Sequence, residues 1–288
     1  MEEEIKVPVL DFAAISAAAV ESDNTSVDSS GDFKRPVPVA GATLGRVREY
    51  LELGKFNPDA TGIAKGYSAS QKGYLVIELL HKRHMYEMGD KLVPHEVKIY
   101  FNKGIKATSN YKKLFKQLNA ATGGSAKTFV DLLNKPFKAR VTLNVVGAGT
   151  PAEKTYANLD NYEAPCREND DGDMVDVNVP ELVGKQRLFL WENKTVSDDM
   201  IRAMWASIQN DGTYTKNAGK DNETTESLNF DQMRIMENTQ WEGSHTQSLF
   251  HVEDIDLGDA PAVPLDTTER DAEANDGMPS ITDGEPNF

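Results

Sequence analysis

The stretch 98-KIYFNKGIKATSNYKKLFKQLNAATGGSAKTFVDLLNKPFKAR-140 decides the fold, because it leaves one kind of periodicity, passes through another and returns. Its first residues close an alternating segment, 95–102, with Val97, Ile99 and Phe101 directed inward and Lys98 and Tyr100 outward. Ser109 is then placed to cap a helix running to about Ala121. Leu114 and Leu118, four apart, form its buried side with Tyr111 and Phe115, and Lys112, Lys113 and Lys116 face water. Gly123-Gly124 ends that helix, and Ser125 caps a second, short one through Leu133. Alternation resumes at 137–146, with Val141, Leu143 and Val145 inward and Lys138 and Arg140 outward.

Outward from this stretch the alternation repeats. Residues 43–53 predict a strand with Val47 and Leu51 on one side and Arg46, Arg48 and Tyr50 on the other. Residues 54–73, with Pro58, several glycines and clustered small residues, predict a mobile hairpin loop. Residues 74–81 predict a strand with Leu75, Ile77 and Leu79 inward and Tyr74 outward, and 155–162 another with Ala157 and Leu159 inward and Tyr156 outward. Three strands, a helical insertion and two strands make a mainly β protein with helical insertions (α+β). They also give the strand order of a five-stranded OB-fold-like barrel. A ferredoxin-like or other small α+β sheet fits the same pattern.

Charge divides the chain. Residues 1–42 carry 3 bases and 8 acids, 43–165 carry 19 and 11, and 166–288 carry 9 and 27, giving −5 + 8 − 18 = −15. The quoted stretch alone holds ten Lys or Arg against one acid, Asp131. A basic centre between acidic flanks points to an acidic partner. Aromatic rings interleave with the bases, as single-stranded nucleic acid requires for phosphate contact and base stacking. The outward set is Arg46, Arg48, Tyr50, Tyr74, Lys98, Tyr100, Lys138, Arg140, Lys154 and Tyr156, joined by Lys103, Lys106, Lys112, Lys113 and Lys116. A solvated basic face over a phenylalanine core explains the same residues without a ligand.

Residues 1–42 read as an acidic arm and linker, and 43–165 as the nucleic-acid-binding core. Residues 166–250 read as an acidic loop, a helix opened by Ser197 with Asp198 and Asp199, a polar linker over 211–227 and a helix over 228–240. Residues 251–288 hold 11 acids and one base, Arg270, and read as a disordered acidic tail. The single cysteine, Cys166, permits no intramolecular disulfide and fits a reducing, cytoplasmic setting. No apolar run suits a membrane span, and Met1-Glu2-Glu3-Glu4 has the wrong charge for a secretory signal.

Catalytic readings are weaker. Glu96-Val97-Lys98 with Asp59 matches a metal-dependent nuclease motif only across 37 residues, with Asp59 in a loop. Gly123-Gly124-Ser125-Ala126-Lys127-Thr128 lacks the glycines of a P-loop. His81, His84, His95 and Cys166 lack zinc-finger spacing and read as solvated histidines at strand ends beside a free thiol. Asp170-Asp171-Gly172-Asp173 lacks the glycine and closing glutamate of a calcium loop. The expectation is a non-enzyme without metal or cofactor. The alternatives are a Mg-dependent recombination nuclease and a structural subunit without DNA binding.

An ordered series of short matches spans about residues 42–163: Gly45-Arg46-Val47, Leu51-Glu52-Leu53-Gly54, Val76-Ile77-Glu78-Leu79, Lys112 to Leu118, Leu132-Leu133-Asn134-Lys135-Pro136, Leu143-Asn144-Val145 and Thr155-Tyr156-Ala157-Asn158. The series resembles the single-stranded-DNA-binding replication proteins of tailed bacteriophages. That resemblance implies an OB-fold core, sequence-independent binding and protection of single strands during phage DNA replication and recombination, and a cytoplasmic site of action in a bacterial host. It also implies that the acidic tail, with Asp283, Glu285 and Phe288 at its end, recruits replication proteins and competes with DNA. A homo-oligomer is compatible with all of this.

Overall fold

Residues 36–250 are described by a computed structural model, except 105, 150–152, 193 and 217–222. The arm before Pro36 and the tail after Phe250, including Asp283, Glu285 and Phe288, lie outside the described residues.

The centre is β1, Gly41–Phe56. It pairs antiparallel along most of its length with β2, Ser70–Leu79, and over Gly41–Arg46 with β5, Pro136–Val146. The hairpin β3 (Met85–Met88) and β4 (Lys91–Asn102) extends the β2 side, and β6 (Lys154–Glu163) extends the β5 side. The order β3-β4-β2-β1-β5-β6 makes a curled half-barrel sheet. The span expected as a mobile loop, 54–73, is largely ordered structure: β1 runs to Phe56, a short helix α1 covers Ala60–Ala64, and β2 begins at Ser70. Asp59 caps α1 by accepting from the Gly62 amide at 2.5 Å.

The inner core follows the expected alternation. Val47, Leu75, Ile77, Leu79, Val97, Phe101, Phe137 and Val141 pack together inside the curl. The helix α2, Asn110–Ala121, closes over them with Leu118 and Ala121 buried and Lys112, Lys113 and Lys116 exposed. Ser109 caps it, and Gly124 N donates to Asn119 O at 2.8 Å just past its end. The second short helix is a tighter 3-10 turn, Phe129–Leu132, that does not start at Ser125. Instead Asp131 accepts from the Lys127 and Thr128 amides at 2.8 and 2.9 Å, and these bonds hold its carboxyl below the usual range.

Leu143 and Val145 are corrected from inward to exposed. β1 accompanies β5 only as far as Val141, so the rest of β5 runs beyond the core with β6 as its partner.

Residues 166–250 build a second layer. The expected loop 166–196 contains a hairpin, β7 (Cys166–Glu168) with β8 (Met174–Asp176), and β9 (Arg187–Phe189), which joins β1 in parallel at Glu49–Leu51. Helix α3, Asp198–Ser207, is capped by Ser197 as expected. The expected linker 211–227 carries the hairpin β10 (Thr213–Lys216) and β11 (Thr224–Ser227). The helix expected over 228–240 is α4, Phe230–Met236, followed by α5, His245–Leu249. These elements bury the outer face of the sheet: Leu51, Leu53, Phe56, Tyr74 and Val76 meet Phe189, Trp191, Ile201, Trp205, Ile208 and Ile235. At Gly54, where φ is +99°, Asn238 lies so close that a Cβ would be 2.4 Å from its side chain, so glycine is required there. Among the described residues no helix is long and apolar enough to cross a membrane.

Candidate functional site

The outer layer reverses four of the expected outward residues. Arg46 is buried and holds the strand that follows β8, donating to Pro180 O at 2.8 Å, Val179 O at 2.9 Å and Glu181 at 3.1 Å. Arg48 faces three carboxylates, Glu49, Glu78 at 3.4 Å and Glu96 at 2.6 Å. Burial opposes its charge, but these carboxylates outweigh burial and raise its pKa. Tyr50 is inside the inner core. A bulge at Arg48 shifts the register between Val47 and Glu49, so Tyr50 lies opposite Leu75 and stacks on Phe129 at 5.3 Å. Burial first, then Glu52, pushes its hydroxyl far up, and that hydroxyl donates to Glu52 at 2.6 Å. Tyr74 does face outward, but the second layer covers it. Its hydroxyl donates to Asp231 at 2.5 Å and is pushed up by burial, then by that carboxylate.

Other members of the set are engaged or stand apart. Lys103 pairs with Glu52 at 2.6 Å and Lys138 with Glu163 at 2.9 Å. Arg140 is exposed on β5 opposite Asp160, and Lys154 is exposed near the start of β6. Lys106, Lys112, Lys113 and Lys116 are exposed on α2 and the segment before it.

The nuclease trio is not assembled: Glu96 binds Arg48, while Asp59 caps α1. Among the described residues no cluster of acids, histidines and cysteine is arranged to hold a metal ion. His84 and His95 are buried rather than solvated. Both ring nitrogens of His84 are used, on Thr43 Oγ1 at 2.9 Å and Val39 O at 2.8 Å.

Lys98, Tyr100 and Tyr156 come together, with Tyr74 beneath them, in a cleft of about 1010 Å³ on the outer face. The register explains why: Val76 is opposite Lys98 and Tyr74 opposite Tyr100, so β4 presents both beyond the edge of the second layer. Lys98 Nζ sits 3.6 Å from the Tyr74 ring centre and 4.0 Å from Asp231. The cleft's other walls are the segment Pro58–Ser70 and helix α4, which contribute Tyr67, Phe230 and Arg234. Tyr67, Tyr100 and Phe230 are the exposed aromatic rings among the described residues, and all three line this cleft. Lys72 and Arg234 flank the buried Phe56 ring at 5.6 and 4.5 Å.

The acids of the cleft already have partners. Asp59 caps α1, Asp231 pairs with Arg187 at 2.8 Å, and Glu237 pairs with Arg234 at 2.8 Å. Sequence reasoning missed Tyr67, Lys72, Phe230 and Arg234. Tyr67 gave a signal, a tyrosine between Gly66 and Ser68 where nothing apolar adjoins it. Phe230 and Arg234 gave none, because their place depends on how α4 docks.

No protein-family model, curated protein or solved structure matches the chain. A functional reading therefore rests on the chain's own residues.

Proposed function

We propose that this chain is a non-catalytic, sequence-independent single-stranded-DNA-binding protein and that the strand lies in the outer cleft. The observation that carries this reading is the convergence of Tyr67, Tyr100 and Phe230 on one cleft that also holds Lys72, Lys98 and Arg234. Exposed rings in a cationic groove stack bases of any sequence, at about 1–3 kcal/mol per base. Exposed aromatic side chains otherwise cost solubility and are rarely gathered in one place.

We read the half-barrel as a partly open OB-like barrel. Its support is the connectivity: β1 central, β2 and β4 on one side, α2 as the crossing element, then β5 and β6 on the other. The exposed lysines of α2 add a field of the right sign for approach. On this reading the acidic tail, Asp283, Glu285 and Phe288 included, competes with DNA and recruits replication proteins, as the resemblance to phage proteins implies.

The test is fluorescence anisotropy with labelled oligo-dT and a matched duplex, with EDTA and with Mg²⁺. Tight binding of the single strand, weakened by salt, independent of Mg²⁺ and without cleavage, is expected. Preference for the duplex, or strand cleavage with Mg²⁺, overturns the reading.

A further inference from the structure

We infer that the cleft holds the phosphates of its strand through Lys72 and Arg234, residues from the two halves of the chain, and not through the lysine-rich face of α2. This rests on the single-strand reading of the cleft and assigns its phosphate subsite.

Lys72 lies on β2, opposite Asn102 of β4 and Gly54 of β1. Arg234 comes from α4, 162 positions later in the chain (234 − 72). Both cations approach the ring of Phe56, which is 7% exposed, so this one ring fixes them as neighbours on the cleft wall. Arg234 is held further by Glu237 at 2.8 Å, which orients the guanidinium and leaves it other N–H donors. A planar guanidinium beside an ammonium suits the two free oxygens of a phosphodiester.

The remaining cation of the cleft, Lys98, is seated over the Tyr74 ring and near Asp231, so its charge is already balanced. The lysines of α2 have the right charge but no exposed ring beside them: Tyr111 and Phe115 are turned onto the inner core. In a single strand each phosphate adjoins its base, so phosphate contacts and stacking rings belong on one surface.

Docking of α4 on the sheet is therefore part of the site. Asp231, buried on α4, is tied to Tyr74 of β2 and to Arg187 of β9, which sets Arg234 and Phe230 against the strands. The strand-binding surface needs the C-terminal half of the chain, not the 43–165 segment alone.

The full chain tests this through the salt dependence of oligo-dT binding from about 50 to about 200 mM salt. Lys72→Ala and Arg234→Gln should each weaken binding severalfold and flatten the slope of log K against log salt by about 0.7. Arg234→Lys should keep the slope, and Tyr100→Ala should weaken binding with the slope unchanged. Melting temperatures matching the wild type exclude misfolding as the cause. Wild-type slopes in Lys72→Ala and Arg234→Gln, with a flattened slope in a Lys112→Ala/Lys113→Ala protein, move the phosphates to α2 and overturn the assignment. In that case a weakened Tyr100→Ala keeps the parent reading, whereas a wild-type chain that binds no strand removes both.

Discussion

The two faces of β1 are buried to similar depth by opposite means. On the inner face, Val47 and Tyr50 pack among Leu75, Ile77, Phe129 and Phe137, and area removed from water does the work. On the outer face, apolar residues alternate with Arg46, Arg48, Glu49 and Glu52, each buried or nearly so, and the second layer returns a partner for each charge. Apolar burial asks only for volume and shape. Ionic burial asks for named partners, because a charge left alone in the interior is costly. The outer face thus binds its cover more specifically, and where the cover ends at β4 the same face becomes the cleft.

Glu78 offers the hardest test of that contrast. It is fully buried, accepts from Val183 N at 2.9 Å and Gly184 N at 2.7 Å, and faces Arg48. Glu78→Ala should cost about 3–5 kcal/mol in chemical denaturation, through the stranded arginine and amides. Its neighbour on the inner face, Ile77→Val, should cost about 0.5–1.5 kcal/mol. Equal losses for the two would remove the distinction between the faces.

Gly184→Ala probes the same junction more gently. A Cβ there would lie 2.5 Å from both Arg48 Nη1 and Glu78 Oε1. Displacing that pair should cost about 1–3 kcal/mol, read as a lowered denaturation midpoint. An unchanged midpoint would mean that the junction yields without loss.

The smallest effect belongs to His84, which ties β1 to the segment before it. Val39 O can only accept, so Nε2–H donates to it and Nδ1 takes the Thr43 hydroxyl proton. Burial holds this imidazole below its ordinary pKa. The unfolded chain takes up a proton near pH 6.5, before the folded chain does, so stability falls as pH drops below that point. The loss stops once the folded imidazole is also protonated, and amounts to about 1.4 kcal/mol per unit between the two pKa values. Melting temperatures from about pH 7 to about pH 5 should show this decline, and His84→Gln should flatten it. A wild-type curve as flat as the variant's would contradict it.

How much of this was legible in the sequence follows from the same contrast. The inner core was readable because Leu75, Ile77 and Leu79, or Val97 and Phe101, alternate against polar residues on strands with regular pairing. Helix α2 was readable from Ser109, the glycine pair and the spacing of Leu114 and Leu118. Alternation says which residues share a face, not whether a distant segment covers the other face. For that reason Arg46, Arg48 and Tyr74 looked solvent-facing, and Glu49 and Glu78 drew no notice. Tyr50 failed for a second reason, since one bulge reverses the parity of everything after it. In the cleft, Lys98, Tyr100 and Tyr156 were found on their strands, while Phe230 and Arg234 depended on tertiary docking that period and propensity do not encode.

The most direct test of the account is where a strand touches the protein. Photo-cross-linking of a bromodeoxyuridine oligonucleotide to the full chain, followed by peptide mapping, reads this without any substitution. The account predicts cross-links in the peptides carrying Tyr67, Tyr100 and Phe230. Cross-links confined to the peptides between Lys106 and Lys116, with none in the cleft, would contradict it.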